Sequence, residues 1–369
     1  MNPEIVVHSK KKDILLFTIS HLNVSFANAL RRIIIADIPT VIIRSFPYKD
    51  NDITIHINTS RLNNEILKQR LSCIPIHINR PELSVEELRE YEVELEKKNT
   101  SNQIEFITTG EFKIKHKSKY LADEVVHKIF PPDSFTKDYI LFARLRPKIS
   151  DDIPGEELKL SARLSRGTAK ENSMFNVVST CSYAMTPNQS AQYDFWKKQE
   201  KILSAKGIDK EDLALEKENW LLGEGKRIYI PDSFDFTIET LGVFSNIELI
   251  HLAIEILNKK LMAIQQQIED GTLSIQKNQG TANNSFDITL VNEDYTIGKV
   301  LEYILHQQYY SGNKTLSYIG FLKQHPHDVD SIIRMIFKEN IEDELPIQYL
   351  SESVQKASEI FTSIDSQFN

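Results

Sequence analysis

Two clusters of side chains in this sequence have residue types that could bind a metal ion. Asp151-Asp152 and Glu156-Glu157 flank a Pro-Gly turn, and carboxylates grouped in this way can coordinate divalent cations. His325, His327 and Asp328 combine imidazole and carboxylate groups, which are ligand types that zinc accepts. Each cluster is also explained by an exposed turn that carries solvated charges. We therefore expect no metal site at either one.

The sequence lacks the short motifs of several catalytic mechanisms. It has no GxxxxGK[ST] phosphate loop, no GxSxG nucleophile turn and no HExxH pair, nor an Asp-rich cluster of the type that holds magnesium for nucleotidyl transfer. The two cysteines, Cys73 and Cys181, are too few for a four-cysteine metal or iron–sulfur site. We expect no catalytic residue, no metal and no cofactor. The alternative is a free-standing enzyme whose site lies in residues 103–178.

A predicted helix around the run Asn28-Ala29-Leu30-Arg31-Arg32 has two distinct faces at about 100° per residue. Its apolar face consists of Phe26, Ala29, Leu30, Ile33 and Ile34, and its opposite face of Asn28, Arg31, Arg32 and Ile35. We expect the apolar face to be buried. Because the opposite face mixes two guanidinium groups with an isoleucine, it is predicted to dock another protein. The alternative is that the arginines only cover apolar surface with their aliphatic stems.

The elements that position this helix can also be read from the sequence. Leu15, Phe17 and Ile19 recur at period two, which predicts a half-buried strand. Ser25 is the predicted N-cap of the helix, because its hydroxyl can accept from a free backbone N–H in the first turn. Pro39 is predicted to end it, because the residue before a proline avoids helical geometry.

Two internal repeats predict that the chain has two related halves. The strand, cap and helix residues Leu15, Phe17, Ile19, Ser25, Phe26, Leu30, Ile33 and Ile34 match, 271 positions later, Phe286, Ile288, Leu290, Thr296, Ile297, Leu301, Ile304 and Leu305. At an offset of 100 positions, Ile247, Ile250, Ile254, Leu257, Leu261, Ile264 and Ile268 match Ile347, Leu350, Val354, Ala357, Phe361, Ile364 and Phe368. Both helical series step by three and four residues alternately, which is typical of packed helices. We expect the halves to pack on each other with pseudo-twofold symmetry.

Length and composition favour a globular protein of two or three domains. The chain has 369 residues, 41% of them apolar, and a net charge of −8. It therefore lacks the overall basic field of an autonomous nucleic-acid binder, and no sequence-specific contact with nucleic acid is expected. No apolar run reaches the length of a membrane span, and Met1 to Lys12 have no apolar signal core. We expect a soluble intracellular protein without membrane contact.

The predicted fold class is α+β, with two related domains of strands packed on helices and an inserted α+β domain. The first of the related domains is predicted to be discontinuous, formed by residues 1–44 and 228–270. The insert is predicted at 45–227, with an exposed charged helix at 81–98 and a charged helical excursion at 189–222. Residues 271–285 are predicted to be a flexible linker and residues 286–369 the second, smaller of the related domains.

Several motifs resemble the α-like assembly subunits of multisubunit RNA polymerases. The run Asn28–Arg32 resembles the "NALRR" helix of their dimerisation domain, and Asn58–Ile76 resembles a run of the third-largest eukaryotic subunit that includes Leu62, Glu65, Leu67, Arg70 and Leu71. Residues Pro231–Gly242 resemble the strand that re-enters the dimerisation domain after its insert. The C-terminal half, with Asn292–Gly298, Tyr318–Gly320 and His325-Pro326, is similar to the small α-like partner subunit. Cellular polymerases carry these as two chains, so this sequence resembles a fusion of the two.

The resemblance implies a non-catalytic scaffold subunit of a DNA-directed RNA polymerase. It implies an intramolecular heterodimer that binds the largest and second-largest catalytic subunits and other polymerase subunits, with Asn28, Arg31, Arg32, Ile35, Glu65 and Arg70 as docking residues. The fusion suggests the polymerase of a large cytoplasmic DNA virus, located in the virion and the host cytoplasm; otherwise a nuclear location is expected. Lys299, Glu302 and Tyr303 depart from the family pattern, so the two halves are expected to offer different charges to their partners. A scaffold unrelated to transcription is the remaining alternative.

Overall fold

The computed structural model describes residues 1–11, 13–78, 82–150, 152–278, 284–342 and 344–368. The strands are β1 (Glu4–Lys10), β2 (Ile14–Ser20), β3 (Thr40–Ile42), β4 (Ile53–Asn58), β5 (Tyr91–Lys98), β6 (Glu105–Thr108), β7 (Lys113–His116), β8 (Lys119–Tyr120), β9 (Leu141–Leu145), β10 (Glu157–Arg163), β11 (Ser165–Gly167), β12 (Val178–Pro187), β13 (Tyr229–Thr240), β14 (Ile275–Asn278), β15 (Ser285–Leu290), β16 (Leu316–Leu322) and β17 (Ser331–Phe337). The α-helices are α1 (Val24–Ala36), α2 (Asn64–Ser72), α3 (Val85–Arg89), α4 (Asp123–Ile129), α5 (Gln189–Ala205), α6 (Lys210–Leu222), α7 (Asn246–Glu269), α8 (Tyr295–Leu305) and α9 (Leu345–Asp365). The fold class is α+β, as predicted.

The chain folds as two compact units. The first unit comprises Met1–Ile34, Thr180–Glu239 and Asn246–Asn369, and the second comprises Ile35–Ser179 and Thr240–Ser245. This division differs from the predicted insert at 45–227, because the charged helices α5 and α6 belong to the first unit. The strands that flank these helices, β12 and β13, are neighbours in a sheet of the first unit. The charged excursion is therefore the connection between two adjacent strands of that sheet.

The first sheet of the first unit has the strand order β1-β2-β13-β12. Leu15, Phe17 and Ile19 of β2 are fully buried, as the alternation predicted. Phe17 stacks on Phe236 of β13 with ring centroids 5.1 Å apart, and Phe368 meets Phe17 edge-on at the same distance. The C-terminal end of the chain therefore packs against the N-terminal sheet.

Helix α1 begins two residues earlier than predicted, and its cap is Asn23 instead of Ser25. The Asn23 Oδ1 accepts a hydrogen bond from the Ser25 backbone N–H at 2.9 Å. Helix α8 is capped in the same way, since Asp294 Oδ1 accepts from the Thr296 N–H at 2.8 Å. Asn23 and Asp294 are also 271 positions apart, so the repeat is retained although the predicted capping residues were wrong.

The second sheet of the first unit repeats the order of the first, with β14-β15-β17-β16 in place of β1-β2-β13-β12. In each sheet the predicted repeat strand is second and pairs antiparallel with both neighbours. Strand β14 lies inside the predicted linker at 271–285, so that part of the linker is ordered as a sheet edge. Residues 279–283 of the predicted linker lie outside the described residues.

Helices α7 and α9 pack along each other in the first unit. Their apolar residues at the predicted offset of 100 positions are largely buried, among them Leu257 and Ala357, which are both fully buried. Helix α8 packs against α9 and strand β16. At Gly298 a side-chain Cβ would lie 1.9 Å from the ring of Phe321, so only glycine fits this contact.

The second unit is built on a five-stranded sheet of order β4-β10-β5-β7-β8, with the two small sheets β3-β11 and β6-β9. Its core includes Leu67 and Leu71 of α2, and Val93 and Leu95 of β5. The predicted charged helix at 81–98 is wrong over most of its length, because only α3 is helical and β5 is a central strand. The alternation of Tyr91, Val93 and Leu95 with glutamates buries one face of β5 although the segment is highly charged.

Among the described residues, no helix has both the length and the apolar character that a membrane span requires.

Candidate functional site

The outward face of α1 holds the residue pair predicted to dock a partner. Arg31 donates from Nε and from a terminal guanidinium nitrogen to the Oδ1 of Asn28, at 3.1 Å and 2.9 Å. Both side chains are half-buried and lie one turn apart on the helix. The Asn28 amide thus holds the guanidinium on this face of α1.

Arg32, which was also predicted to dock a partner, makes contacts within this chain. Its Nε donates to the Thr296 Oγ1 at 2.8 Å, and a terminal nitrogen contacts the Asp294 Oδ2 at 2.9 Å. Arg32 therefore binds the N-terminal cap of α8 within the same chain. The helical periodicity placed Arg32 on the face opposite the core but gave no information on the second half, 262 positions away.

The three docking candidates beyond Ile34 lie in the second unit. Ile35 is half-buried, and Glu65 is exposed on α2. Arg70 donates to the backbone carbonyls of Phe142 and Leu141 at 2.8 Å and 2.7 Å, so its guanidinium ties α2 to strand β9. Of these three, Arg70 therefore has a structural contact that the sequence did not reveal.

The side chains predicted to join the two halves are all buried within the first unit. They are Phe26, Leu30, Ile33, Ile34, Ile250, Ile254, Leu257, Leu261, Ile297, Leu301, Ile304, Leu350, Val354 and Phe361. Phe26 of α1, in the first half, contacts two aromatic rings of the second half, with its ring centroid 5.2 Å from that of Phe361 and 6.4 Å from that of Tyr303.

A ladder of polar pairs, which was not predicted, runs along the α7–α9 contact. His251 Nδ1 lies 2.7 Å from Asp365 Oδ1, Ser358 donates to Asn258 Oδ1 at 3.0 Å, and Ser351 donates to Gln265 Oε1 at 3.0 Å. Successive rungs are seven residues apart on each helix, and the helices run antiparallel. Adding 100 to each α7 position and subtracting 100 from each α9 position converts the three rungs into one another. This is the pattern of a twofold relation centred on the pair Asn258 and Ser358. These polar residues recur every seven positions in both helices, next to the apolar residues, and this spacing could have revealed the ladder from the sequence.

Helix α8 repeats the Asn28–Arg31 arrangement with different chemistry. Lys299 and Glu302 occupy the equivalent positions, and Lys299 Nζ lies 2.5 Å from Glu302 Oε2. The other carboxylate oxygen of Glu302 accepts from the Phe321 backbone N–H at 3.2 Å. The neighbouring Tyr303 is partly buried, which raises the pKa of its hydroxyl, with a smaller contribution from the negative charge of Asp232.

Neither cluster with metal-ligand types forms a ligand set in the described structure. Glu156 is buried, and its carboxylate accepts from the backbone N–H and the Nε of Arg146, so it stabilises a turn. Asp151 lies outside the described residues. In the histidine turn, Asp328 accepts from the His325 backbone N–H at 2.8 Å, as expected for a turn. The described residues contain no group of three or more His, Cys, Asp or Glu side chains placed so that they could hold a metal ion.

The two thiols differ in environment. Cys181 on β12 is buried, and burial raises its pKa to about 12, with a small opposing effect from Arg31. Cys73, at the C-terminal end of α2, is exposed, although partial burial of its sulfur also raises its pKa.

Comparison with known proteins gives one family match and several relatives. The family model described as "RNA polymerase Rpb3/Rpb11 dimerisation domain" matches residues 16–261. Subunit 3B of DNA-directed RNA polymerases IV and V from Arabidopsis thaliana is 28% identical over 315 residues, which are 73% of this chain and 92% of the relative. Subunit Rpo3 of the DNA-directed RNA polymerase of Pyrococcus furiosus is 26% identical over 274 residues, 70% of this chain and 94% of the relative. Subunit RPAC1 of human DNA-directed RNA polymerases I and III is 28% identical over 206 residues, 50% of this chain and 54% of the relative.

Proposed function

Because the chain belongs to the family of the RNA polymerase Rpb3/Rpb11 dimerisation domain, we propose that it is a non-catalytic assembly subunit of a DNA-directed RNA polymerase. Its similarity to subunit 3B and to Rpo3 extends over most of those relatives, which favours an equivalent place in the complex. Nucleotidyl transfer would then reside in the large subunits. The candidate carboxylate Glu156 is already held by Arg146, which leaves it no part in such chemistry.

The second half of the chain takes the place of the small α-like partner subunit in this proposal. The family match ends at residue 261, before the second sheet begins, so this part rests on the structure of the first unit. The observation that carries it is the polar ladder between α7 and α9, whose rungs are related by the same offset of 100 positions as the apolar residues. The repeated strand order of the two sheets and the equivalent caps Asn23 and Asp294 support it independently.

Fusion of the two halves has a thermodynamic consequence. Joined partners associate at an effective concentration of about a millimolar, instead of at the concentration of two separate chains. The heterodimer would therefore form without a bimolecular step before the catalytic subunits bind. Such a fused arrangement is consistent with the polymerase of a large cytoplasmic DNA virus, with the chain in the virion and the host cytoplasm.

The docking face we assign to the catalytic subunits is the outward side of α1, with Asn28 and Arg31 at its centre. Ile35 and Glu65 remain candidates for further contacts. Arg32 is left out of this docking face because its Nε and one terminal nitrogen already donate to Thr296 and Asp294. Arg31 is the better candidate, since its guanidinium is held by a neutral amide and can bind a carboxylate on a partner.

Co-expression with the two largest polymerase subunits tests this proposal. The tagged wild-type chain should capture both in equal amounts, and Arg31→Ala should weaken that capture about tenfold or more, because an interfacial arginine leaves its partner uncompensated when removed. Glu216→Ala, on the exposed helix α6, is the matched control and should capture normally. If the wild-type chain purifies without large partners under conditions where the polymerase is intact, the proposed function is wrong.

A further inference from the structure

The two helix caps at the junction of the halves are not equivalent, although the repeat places them at equivalent positions. At the cap of α8, Asp294 Oδ1 accepts from the Thr296 N–H while Oδ2 accepts from Arg32. The Thr296 hydroxyl accepts the second hydrogen bond from Arg32. The cap of α8 is therefore occupied by a guanidinium that α1 provides.

At the cap of α1 the corresponding residues are Asn23, Ser25 and Tyr303, each 271 positions from its counterpart. Tyr303 lies beside this cap, edge-on to Phe26, as Arg32 lies beside the cap of α8. It carries no guanidinium, and a pocket of about 470 Å³ remains, lined by Asn23, Ser25 and Tyr303 and also by Lys299 and His306. By the repeat, the position of this pocket at the cap of α1 corresponds to the position that the Arg32 side chain fills at the cap of α8.

One polar atom at this pocket has no partner. The Ser25 Oγ is excluded from solvent and forms no hydrogen bond with any described residue. Leaving a buried hydroxyl without a hydrogen bond destabilises the folded chain. Its counterpart at the other cap, the Thr296 hydroxyl, is satisfied by Arg32. The comparison indicates that the cap of α1 lacks a group that a partner can supply.

The polarity of the pocket decides what that group can be. The Asn23 oxygen is fixed by the hydrogen bond it accepts from the Ser25 N–H, so the other terminal atom of the amide must be an NH₂ donor. At the equivalent position Asp294 presents an acceptor. Glu302 also lines the pocket, but its two oxygens accept from the Lys299 ammonium and the Phe321 N–H, and this ion pair uses one of the three N–H donors of Lys299. The cap of α1 therefore offers donors where the other cap offers acceptors, and an arginine does not fit.

We propose that this pocket receives a single carboxylate side chain, an Asp or Glu of one of the large catalytic subunits. A carboxylate has only acceptors, so it can bind the Asn23 amide, the Ser25 hydroxyl and the Lys299 ammonium together. An apolar side chain would leave the Ser25 hydroxyl unsatisfied. This inference rests on the proposed function, because the occupant is a residue of a polymerase subunit.

The variant Asn23→Asp tests the sign of the charge. Aspartate and asparagine are equally good N-caps, so the full-length chain should melt as the wild type does. In co-expression with the two large subunits, the added negative charge should weaken capture about tenfold or more, because like charges at an interface repel. Asn188→Asp, the same change at the N-cap of α5, is the matched control and should capture normally.

A second variant, Ser25→Ala, keeps the test independent of any effect of charge on folding. Since the hydroxyl has no partner in the isolated chain, its removal should leave the melting temperature unchanged or higher, while capture should weaken about threefold to tenfold. Unchanged capture by both variants overturns the inference, and tighter capture by Asn23→Asp overturns it in favour of a cationic occupant. If Arg31→Ala weakens capture in the same assay while both pocket variants behave as wild type, this inference fails and the proposed function stands.

Discussion

Two adjacent arginines on α1 have different partners, and their spacing in the sequence could not predict this difference. Arg31 is bound to Asn28 one turn away on its own helix, whereas Arg32 binds Asp294 and Thr296 in the other half of the chain. Helical periodicity placed both on the face opposite the apolar residues. The position of the second half relative to that face is a property of the tertiary structure, so periodicity could not distinguish an arginine that binds its own helix from one that binds the other half.

The different partners predict different effects on stability. Arg32→Ala should lower the free energy of unfolding by about 1–2 kcal/mol, because it removes two charge-assisted hydrogen bonds that are partly exposed to solvent. Arg31→Ala should change it by less than about 0.5 kcal/mol, since its partner is on the same helix. Denaturant titration of the two full-length variants measures both. Equal stability of the variants would contradict the assignment of Arg32 to the contact between the halves.

The two cysteines provide a second test at this scale. Because Cys181 is buried and its pKa is raised to about 12, it should resist alkylation at pH 8, whereas the exposed Cys73 should be modified. Intact-mass spectrometry should show one modification in the native chain and two after denaturation. Two rapid modifications of the folded chain would show that β12 is not protected in the first sheet.

At the scale of elements, the repeated strand and helix were predictable, but their ends and edges were not. Alternation and helical periodicity identified β2, β15, α1 and α8, because one face of each is buried. The caps were assigned two residues too late, since Asn23 and Ser25 are both good capping types and only the backbone geometry selects one.

The charged strand and the edge strand were missed for a different reason. The segment that forms β5 was predicted to be an exposed helix because it is rich in charged residues. Its apolar residues nevertheless recur at period two, and one apolar face is enough for a half-buried strand. Strand β14 is short and polar, and its pairing with β15 is what makes it a strand. Among the docking candidates, only the exposure of Glu65 could have been read from sequence, because the contacts of Arg32 and Arg70 are made with distant segments.

Helix α8 provides a test of the packing at its glycine. Gly298→Ala should destabilise the chain by about 1–3 kcal/mol, because the added methyl group would overlap the Phe321 ring. The double variant Gly298→Ala, Phe321→Leu should recover part of the loss, since it removes the overlapping ring. Thermal melts of the single and double variants measure both changes. A Gly298→Ala chain as stable as the wild type would contradict the close approach of α8 and β16.

At the scale of the whole molecule, the two halves share buried contacts within one unit, and we predict that they stay together when the connection between them is cut. A protease site introduced in the predicted linker near Asn283, a position outside the described residues, should allow cleavage without separation. Each buried apolar side chain between the halves contributes about 1.5–3 kcal/mol, and a dozen or so such side chains should hold the fragments together. Gel filtration of the cleaved chain at micromolar concentration should give one peak with both fragments. Two separate peaks would contradict the intramolecular heterodimer.

If one chain performs the part of both α-like subunits in a polymerase, its stoichiometry in the complex is fixed. Native mass spectrometry of the polymerase, purified through a tag on its largest subunit, measures that stoichiometry. We expect one copy of this chain for each copy of the two catalytic subunits, and no separate small α-like subunit. A complex with two copies of this chain, with an additional small α-like subunit, or without this chain would contradict it.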